Sequence, residues 1–166
     1  ELARLLRRPL FTLERVRVCK RDGELLARPL PIEETDESGL PVWQKLMIYS
    51  SEQARNEGSP LHEALVRALR KTGARGATSI RGIWGFHGDH APHGDRFLQL
   101  QRRVPVVTIV IDSPQRIDSW FDIVDRITHR NGMVTSELVP AAAQIQPQAA
   151  AALKLADPDS ARRPEP

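Results

Sequence analysis

The run Val104–Asp112 (VPVVTIVID) restricts the possible folds most strongly, because it is apolar on both faces of an extended chain. A strand with one face in water alternates apolar and polar residues, whereas a strand that is apolar on both faces belongs in the middle of a sheet. Ser113 and Pro114 follow at once, and a serine N-cap before proline is a common start of a helix. The run therefore predicts a central strand that leads directly into a helix.

A strand, a capped helix and a second strand occur twice in succession between residues 44 and 140. In both helices apolar residues recur at spacings of three and four, which favours one buried stripe on each helix. The order βαββαβ predicts an α+β, ferredoxin-like fold in which a four-stranded antiparallel sheet carries two helices on one face. The predicted strands are Lys45–Ser50, Ala77–Phe86, Val104–Asp112 and Met133–Val139, and the helices open at Ser59-Pro60 and Ser113-Pro114.

The second face of such a sheet is not covered by helices. Because the predicted central strand is apolar on that face too, a single copy of the chain would expose a continuous apolar surface. The pattern therefore predicts that the protein associates with further copies of itself.

The cysteine count and the hydropathy restrict the cellular context. Cys19 is the one cysteine, so neither an intrachain disulfide nor a thiolate metal site can form. No apolar run approaches the length of a membrane span, and no signal peptide is visible. We expect a cytoplasmic protein.

The charge and the aromatic content argue against nucleic acid as a partner. Lys and Arg number 24 against 21 Asp and Glu, a net charge of +3 that is not concentrated on one predicted element. The RNA-recognition motif shares the βαββαβ order, but it needs stacking aromatic residues on its central strands. Val104–Asp112 has none, so we expect no nucleic-acid binding.

The stretch Gly85–Asp95 (GFHGDHAPHGD) holds three of the chain's five histidines. Imidazole and carboxylate groups together are ligands for zinc, nickel, copper or iron. Glycine and proline exclude a helix here, so the side chains need not converge, and a solvated polar hairpin loop explains the composition equally well. The candidate metal ligands are His87, Asp89, His90 and His93.

The same region has the composition of an anion-binding loop. Glycine lets the backbone approach a phosphate closely, and arginine pairs with it. Glycines at these positions could equally serve close packing of two strands or two subunits. No serine or cysteine nucleophile accompanies the histidines, so we expect no enzymatic activity. The candidate ligand-binding residues are Arg81, Gly82, Gly85, His87, Gly88 and Arg96.

The N-terminal segment matches the end of the predicted domain. Arg4–Val18 (RLLRRPLFTLERVRV) and Arg126–Pro140 (RITHRNGMVTSELVP) share a helix-like end, a breaker and a similar strand. We expect residues 1–19 to be the remnant of a preceding repeat, whose strand can add to a sheet edge of this or another chain. A proline-rich linker at 20–43, a domain at 44–140 and a disordered tail at 141–166 would follow.

Four segments in this order resemble domain-of-unknown-function family 190, a PII-like family. They are KLMIY, SPLHEALVRALRKTGARGATSIRGIWGF, VPVVTIVID and MVTSELV, of which GATSIRGIWGF is the most specific. The resemblance covers about residues 44–140, and tandem arrays of this domain among the relatives would explain the N-terminal match.

The resemblance implies a ferredoxin-like subunit that assembles as a trimer, or as a pseudo-trimer of tandem repeats. PII-like proteins often bind a nucleotide or another small anion in the cleft between subunits, beside a sensing loop that corresponds here to Gly85–Arg96. An adenine nucleotide is therefore the expected ligand, with a divalent metal as the alternative. Genes of the family often lie beside that of a fluoride-exporting channel, which implies a regulatory link to a membrane ion channel. A module that only docks to another protein remains a third possibility.

Overall fold

The computed structural model describes residues 15–85, 93–94, 104–140 and 155–162. They form an α+β structure whose main sheet is antiparallel at every pairing. The strands are β1 Arg17–Arg21, β2 Glu24–Leu25, β3 Val42–Ser51, β4 Arg55–Asn56, β5 Ser59–Pro60, β6 Ala77–Arg81, β7 Trp84–Gly85, β8 His93–Gly94, β9 Pro105–Asp112 and β10 Met133–Pro140, and the helices are α1 Leu61–Lys71 and α2 Pro114–Thr128.

The main sheet has six strands in the order β2-β1-β10-β3-β9-β6, so the prediction of four strands was wrong. The four predicted strands are all present, and in chain order they lie 4-1-3-2 across the sheet. The two further strands come from the N-terminal segment, because β1 pairs with the edge of β10 that would otherwise be open. The strand VPVVTIVID lies between β3 and β6, as its apolar character predicted.

Two predicted boundaries differ from the structure. The strand predicted at Ala77–Phe86 ends at Arg81, and Trp84–Gly85 starts a separate two-stranded ladder with His93–Gly94. The helix predicted to open at Ser59 begins at Leu61, because Ser59–Pro60 pairs with Arg55–Asn56 in a short hairpin.

Both helices pack on the same face of the sheet. The predicted apolar stripes are confirmed, since the buried residues of α1 and α2 meet Leu46, Ile48, Val110 and Val134 of the sheet in one hydrophobic cluster. Trp120 is 3 % exposed and belongs to this core. The helix-facing residues of α1 are Leu61, Leu65 and Leu69, and those of α2 are Ile117, Trp120, Phe121 and Val124.

A bulge in β1 attaches the N-terminal strand to α2. The register between β1 and β10 shifts between Val18 and Lys20, which turns Cys19 and Lys20 inwards together. Lys20 Nζ donates to Asp125 Oδ1 at 2.6 Å and to the Asp125 carbonyl oxygen at 2.8 Å. The strand β1 is therefore an integral part of this sheet.

Residues 155–162 lie within the tail for which the sequence predicts disorder, and they differ from that expectation in having a defined position. Ala156 and Ala161 join Ile32 and Val42 in a second, smaller hydrophobic cluster. Asp36 accepts a hydrogen bond from the Asp157 N–H at 2.8 Å. The segment predicted as a linker thus provides part of the surface on which residues 155–162 pack.

Neither helix of the described chain is both long enough and apolar enough to cross a membrane.

Candidate functional site

The predicted anion-binding residues begin where β6 ends, at the edge of the main sheet. Gly82 N–H donates to the Pro105 carbonyl oxygen at 2.7 Å, one position beyond the ladder between β6 and β9. A Cβ built on Gly82 would lie 2.8 Å from Pro105 Cγ and 3.2 Å from Pro105 O. Glycine at this position therefore serves close packing of two chain segments, which is the structural alternative that the sequence left open.

Arg81 is held at the foot of the hairpin by an ion pair. Its Nε lies 3.0 Å from Glu52 Oε1, and the two side chains are 39 % and 31 % exposed. Glu52 follows the last residue of β3, and β9 runs between β3 and β6 in the sheet. An anion that binds Arg81 at this atom must therefore replace the Glu52 carboxylate or share the guanidinium with it.

The His/Asp stretch is carried by a hairpin whose two ends are paired. Trp84 lies opposite Gly94 and Gly85 lies opposite His93 in an antiparallel ladder. This pairing brings the ends of the segment together and agrees with a hairpin loop. The remaining candidate ligands lie outside the described residues: His87, Gly88, Asp89, His90 and Arg96.

The described residues contain no cluster of three or more histidine, cysteine, aspartate or glutamate side chains that could hold a metal ion. His93 is the one predicted metal ligand that falls among them, and the structure gives only its position in β8. The metal site therefore stays a prediction.

The face of the sheet opposite the helices is called here the open face. It is formed by the odd-numbered residues of β3, β9 and β10 and by the even-numbered residues of β6, as the register shows. Ile80 is 53 % exposed and Ile111 is 41 % exposed. The apolar residues of the open face are Trp43, Met47, Tyr49, Ile80, Val107, Ile109, Ile111, Met133 and Val139.

Within the described ranges, both hydrophobic clusters lie on the helix-facing side of the sheet. The N-terminal strand extends the edge of the sheet, and residues 155–162 pack beside Val42, a helix-facing position. Neither segment therefore covers the open face. One ion pair, between Lys45 and Glu137 on neighbouring strands, lies among its apolar residues.

Glu52 is the residue of this region that the sequence analysis missed. Glu52 and Arg81 are neither adjacent in the chain nor on paired strands. They meet because the register of β9 aligns the end of β3 with the end of β6. No local pattern signals such a pair.

A comparison with protein-family models matches residues 43–141, more than half of the chain, to DUF190, described as an uncharacterized ACR family. This chain belongs to the DUF190 family. It is also similar to a curated relative, the UPF0166 protein of Aquifex aeolicus (strain VF5), with 29 % identity over 92 residues. That alignment covers 55 % of this chain and 86 % of the relative. The matched residues include β3, the two helices and β10, whereas β1, β2 and residues 155–162 lie outside the family match.

Proposed function

We propose that this DUF190 domain is a PII-like regulatory module with a ferredoxin-like core, which self-associates as a trimer and senses a small anionic ligand at the subunit clefts. The observation that carries the proposal is the open face, an apolar sheet surface that no described segment covers. The module is cytoplasmic and non-enzymatic, and it signals through the hairpin at 85–96.

The strand order supports the ferredoxin-like part of the proposal. The strands β3, β6, β9 and β10 lie 4-1-3-2 across the sheet, and both helices lie on one face. This arrangement is compatible with the βαββαβ plan, on which β1 and β2 are an edge addition.

The open face supports self-association because burying apolar area is favourable by roughly 25 cal/mol per Å². The exposed Ile80 and Ile111 and the half-buried residues between them form a continuous apolar surface across β6 and β9. A second and third copy of the same surface would remove this area from water. Lys45 and Glu137 already neutralise each other, so the pair adds no net charge to such an interface.

The position of Arg81 links association to ligand sensing. Ile80 of the open face directly precedes Arg81, and the hairpin begins three residues after Arg81. A cleft formed when open faces meet would thus border both the hairpin and the Arg81 guanidinium. A phosphate that replaces Glu52 on Arg81 would free a carboxylate at the base of the hairpin, which gives the ligand a means to shift the loop. An adenine nucleotide is the expected ligand.

Isothermal titration calorimetry with ATP, ADP, AMP, cyclic AMP and Zn²⁺ tests the proposal. We expect one of the nucleotides to bind, Arg81→Ala to weaken it at least tenfold, and Glu52→Gln to strengthen it, because the competing carboxylate is then neutral. Arg70→Ala is the matched control, since Arg70 is an exposed arginine on α1.

Two outcomes contradict nucleotide sensing at this site. One is nucleotide binding that Arg81→Ala and Glu52→Gln leave unchanged. The other is binding of Zn²⁺ alone, abolished by changing His90 and His93 to alanine, which would favour the metal-binding alternative. If neither ligand binds, the hairpin is a protein-docking element, and capture of a membrane ion channel becomes the relevant assay.

A further inference from the structure

A cavity of about 450 Å³ lies where the start of β1, the middle of β10 and residues 155–162 meet. We propose that it is a second ligand site, which binds a small organic anion with a phosphate or carboxylate group and a short apolar part. It is separate from the hairpin, because β10 and β1 lie towards one edge of the sheet whereas β6 forms the other edge. The proposal therefore does not depend on the proposed function.

The charge of the lining favours an anion. Three arginines line the cavity, Arg15 and Arg17 from the start of β1 and Arg162 from the C-terminal segment, which is distant in sequence. The two carboxylates of the lining are already paired, Asp159 with Arg162 at 2.6 Å and Glu137 with Lys45. With three arginines against two carboxylates, the lining is net positive, and guanidinium groups bind phosphate and carboxylate with paired hydrogen bonds.

Ser136 adds a buried polar group to the lining. It is 2 % exposed, and its Oγ accepts a hydrogen bond from Gln44 Nε2 at 2.9 Å. The Ser136 hydroxyl hydrogen is thus available to an oxygen atom in the cavity. A neutral, fixed donor beside several cations is the arrangement that orients a small anion.

The apolar part of the lining limits the kind of anion. Leu30 and Leu138 contribute side chains from the small hydrophobic cluster, so the cavity has a charged side and an apolar side. Its volume lies within the roughly 300–1,000 Å³ of small-molecule sites. An anion with a short alkyl or ring substituent would contact both sides, whereas inorganic phosphate would contact only the first.

Most of the cavity is built by residues outside the family match. Arg15, Arg17, Leu30 and Arg162 lie outside residues 43–141, and only the β10 residues lie within them. A site of this kind would distinguish this chain from relatives that lack the two flanking segments. Ligand binding there would also connect β1 to the C-terminal segment.

Calorimetric titration of the full chain with n-butyl phosphate tests the site, with inorganic phosphate as the comparison. We expect saturable binding of n-butyl phosphate, weaker binding of inorganic phosphate, and a loss of at least tenfold in affinity in Arg15→Glu. Arg15 is exposed and has no ion-pair partner among the described residues, so this change leaves the fold intact. Ser136→Ala should weaken binding several-fold, whereas the control Arg70→Glu should not change it.

Arg81→Ala separates this site from the hairpin, because it should leave the affinity for n-butyl phosphate unchanged while it weakens nucleotide binding. The inference is overturned if n-butyl phosphate shows no saturable binding to the wild-type chain. It is equally overturned if Arg15→Glu binds n-butyl phosphate as well as the wild type does.

Discussion

Lys20 shows how a single residue fixes the N-terminal strand to the rest of the molecule. Its side chain is 3 % exposed, and the ammonium group donates to Asp125 Oδ1, to the Asp125 carbonyl oxygen and to Thr128 Oγ1. All three donors of the group are thus used, which is what a buried lysine requires. The ion pair connects residue 20 of β1 to the last turn of α2.

Lys20→Ala should destabilise the folded protein by about 2–3 kcal/mol, because three charged hydrogen bonds are lost and the Asp125 carboxylate loses its cationic partner. Urea unfolding followed by circular dichroism measures this free energy. Lys71→Ala is the control, since Lys71 is exposed at the end of α1. A change within about 0.5 kcal/mol for Lys20→Ala, the range typical of surface positions, would show that β1 is not held by this pair.

Cys19 lies beside Lys20 but has no comparable role in attaching β1 to α2. Burial raises the pKa of its thiol to about 11, although Arg17 acts in the opposite direction. The thiol is therefore protonated at neutral pH and behaves as a small apolar core residue.

At the scale of elements, residues 155–162 depend for their attachment on one carboxylate, that of Asp36. Asp36 accepts hydrogen bonds from the N–H groups of Asp157, Ser38 and Leu40. These bonds lower the pKa of Asp36 below its ordinary value, and the bond from the Asp157 N–H has the largest effect. Because the folded pKa is depressed, this contribution to stability is present above the unfolded pKa and is lost as the pH falls through the folded pKa.

We expect residues 155–162 to detach from residues 32–42 as the pH falls below the ordinary aspartate pKa of about 4 and then through the lower pKa of folded Asp36. Asp36→Asn should loosen the same contact at neutral pH, since it removes the carboxylate that accepts the bond. Amide hydrogen exchange of Asp157 and Glu33 measures this, because Glu33 N–H donates to the Ala161 carbonyl oxygen at 2.8 Å.

Glu63→Gln is the control for Asp36→Asn, because it also removes one carboxylate, from an exposed pair with Arg67 on α1. Unchanged protection of both amides in Asp36→Asn would mean that the hydrophobic contacts of Ala156 and Ala161 alone hold the segment.

For the molecule as a whole, the proposed self-association depends on the open face. Ile109 lies on β9, in the middle of the four core strands, and is partly exposed on this face. If the proposed assembly forms through this face, Ile109→Glu should dissociate it to single chains, weakening association at least tenfold, because a charged group cannot be buried there without a partner. Sedimentation velocity over a range of concentrations measures the particle size.

Leu26→Glu is the matched control, since Leu26 is 51 % exposed and lies outside the open face. It should leave the assembly unchanged. A wild-type chain that sediments as a single copy at high concentration would remove the basis of the proposed subunit clefts.

Much of the domain could be predicted because its signals are local. The apolar stripes of the helices, the apolar central strand and the turn at Gly132 are each indicated by a few neighbouring residues. Gly132 has φ 71°, and a Cβ there would lie 1.8 Å from the Tyr49 carbonyl oxygen, so the turn requires glycine. The division of the predicted strand at Arg81 was missed because Trp84–Gly85 pairs with His93–Gly94 and not with β9, and such pairing leaves no local pattern.

By itself, the sequence determined the order of strands and helices, the buried stripes and the apolar second face of the sheet, because alternation and helical spacing record which side of each element meets water. Only the tertiary structure decided that β1 joins a six-stranded sheet, that Glu52 holds Arg81, and that Arg15 and Arg17 border one cavity with the distant Arg162. Those features depend on register and on the packing of segments far apart in the chain, and neither leaves a pattern among neighbouring residues.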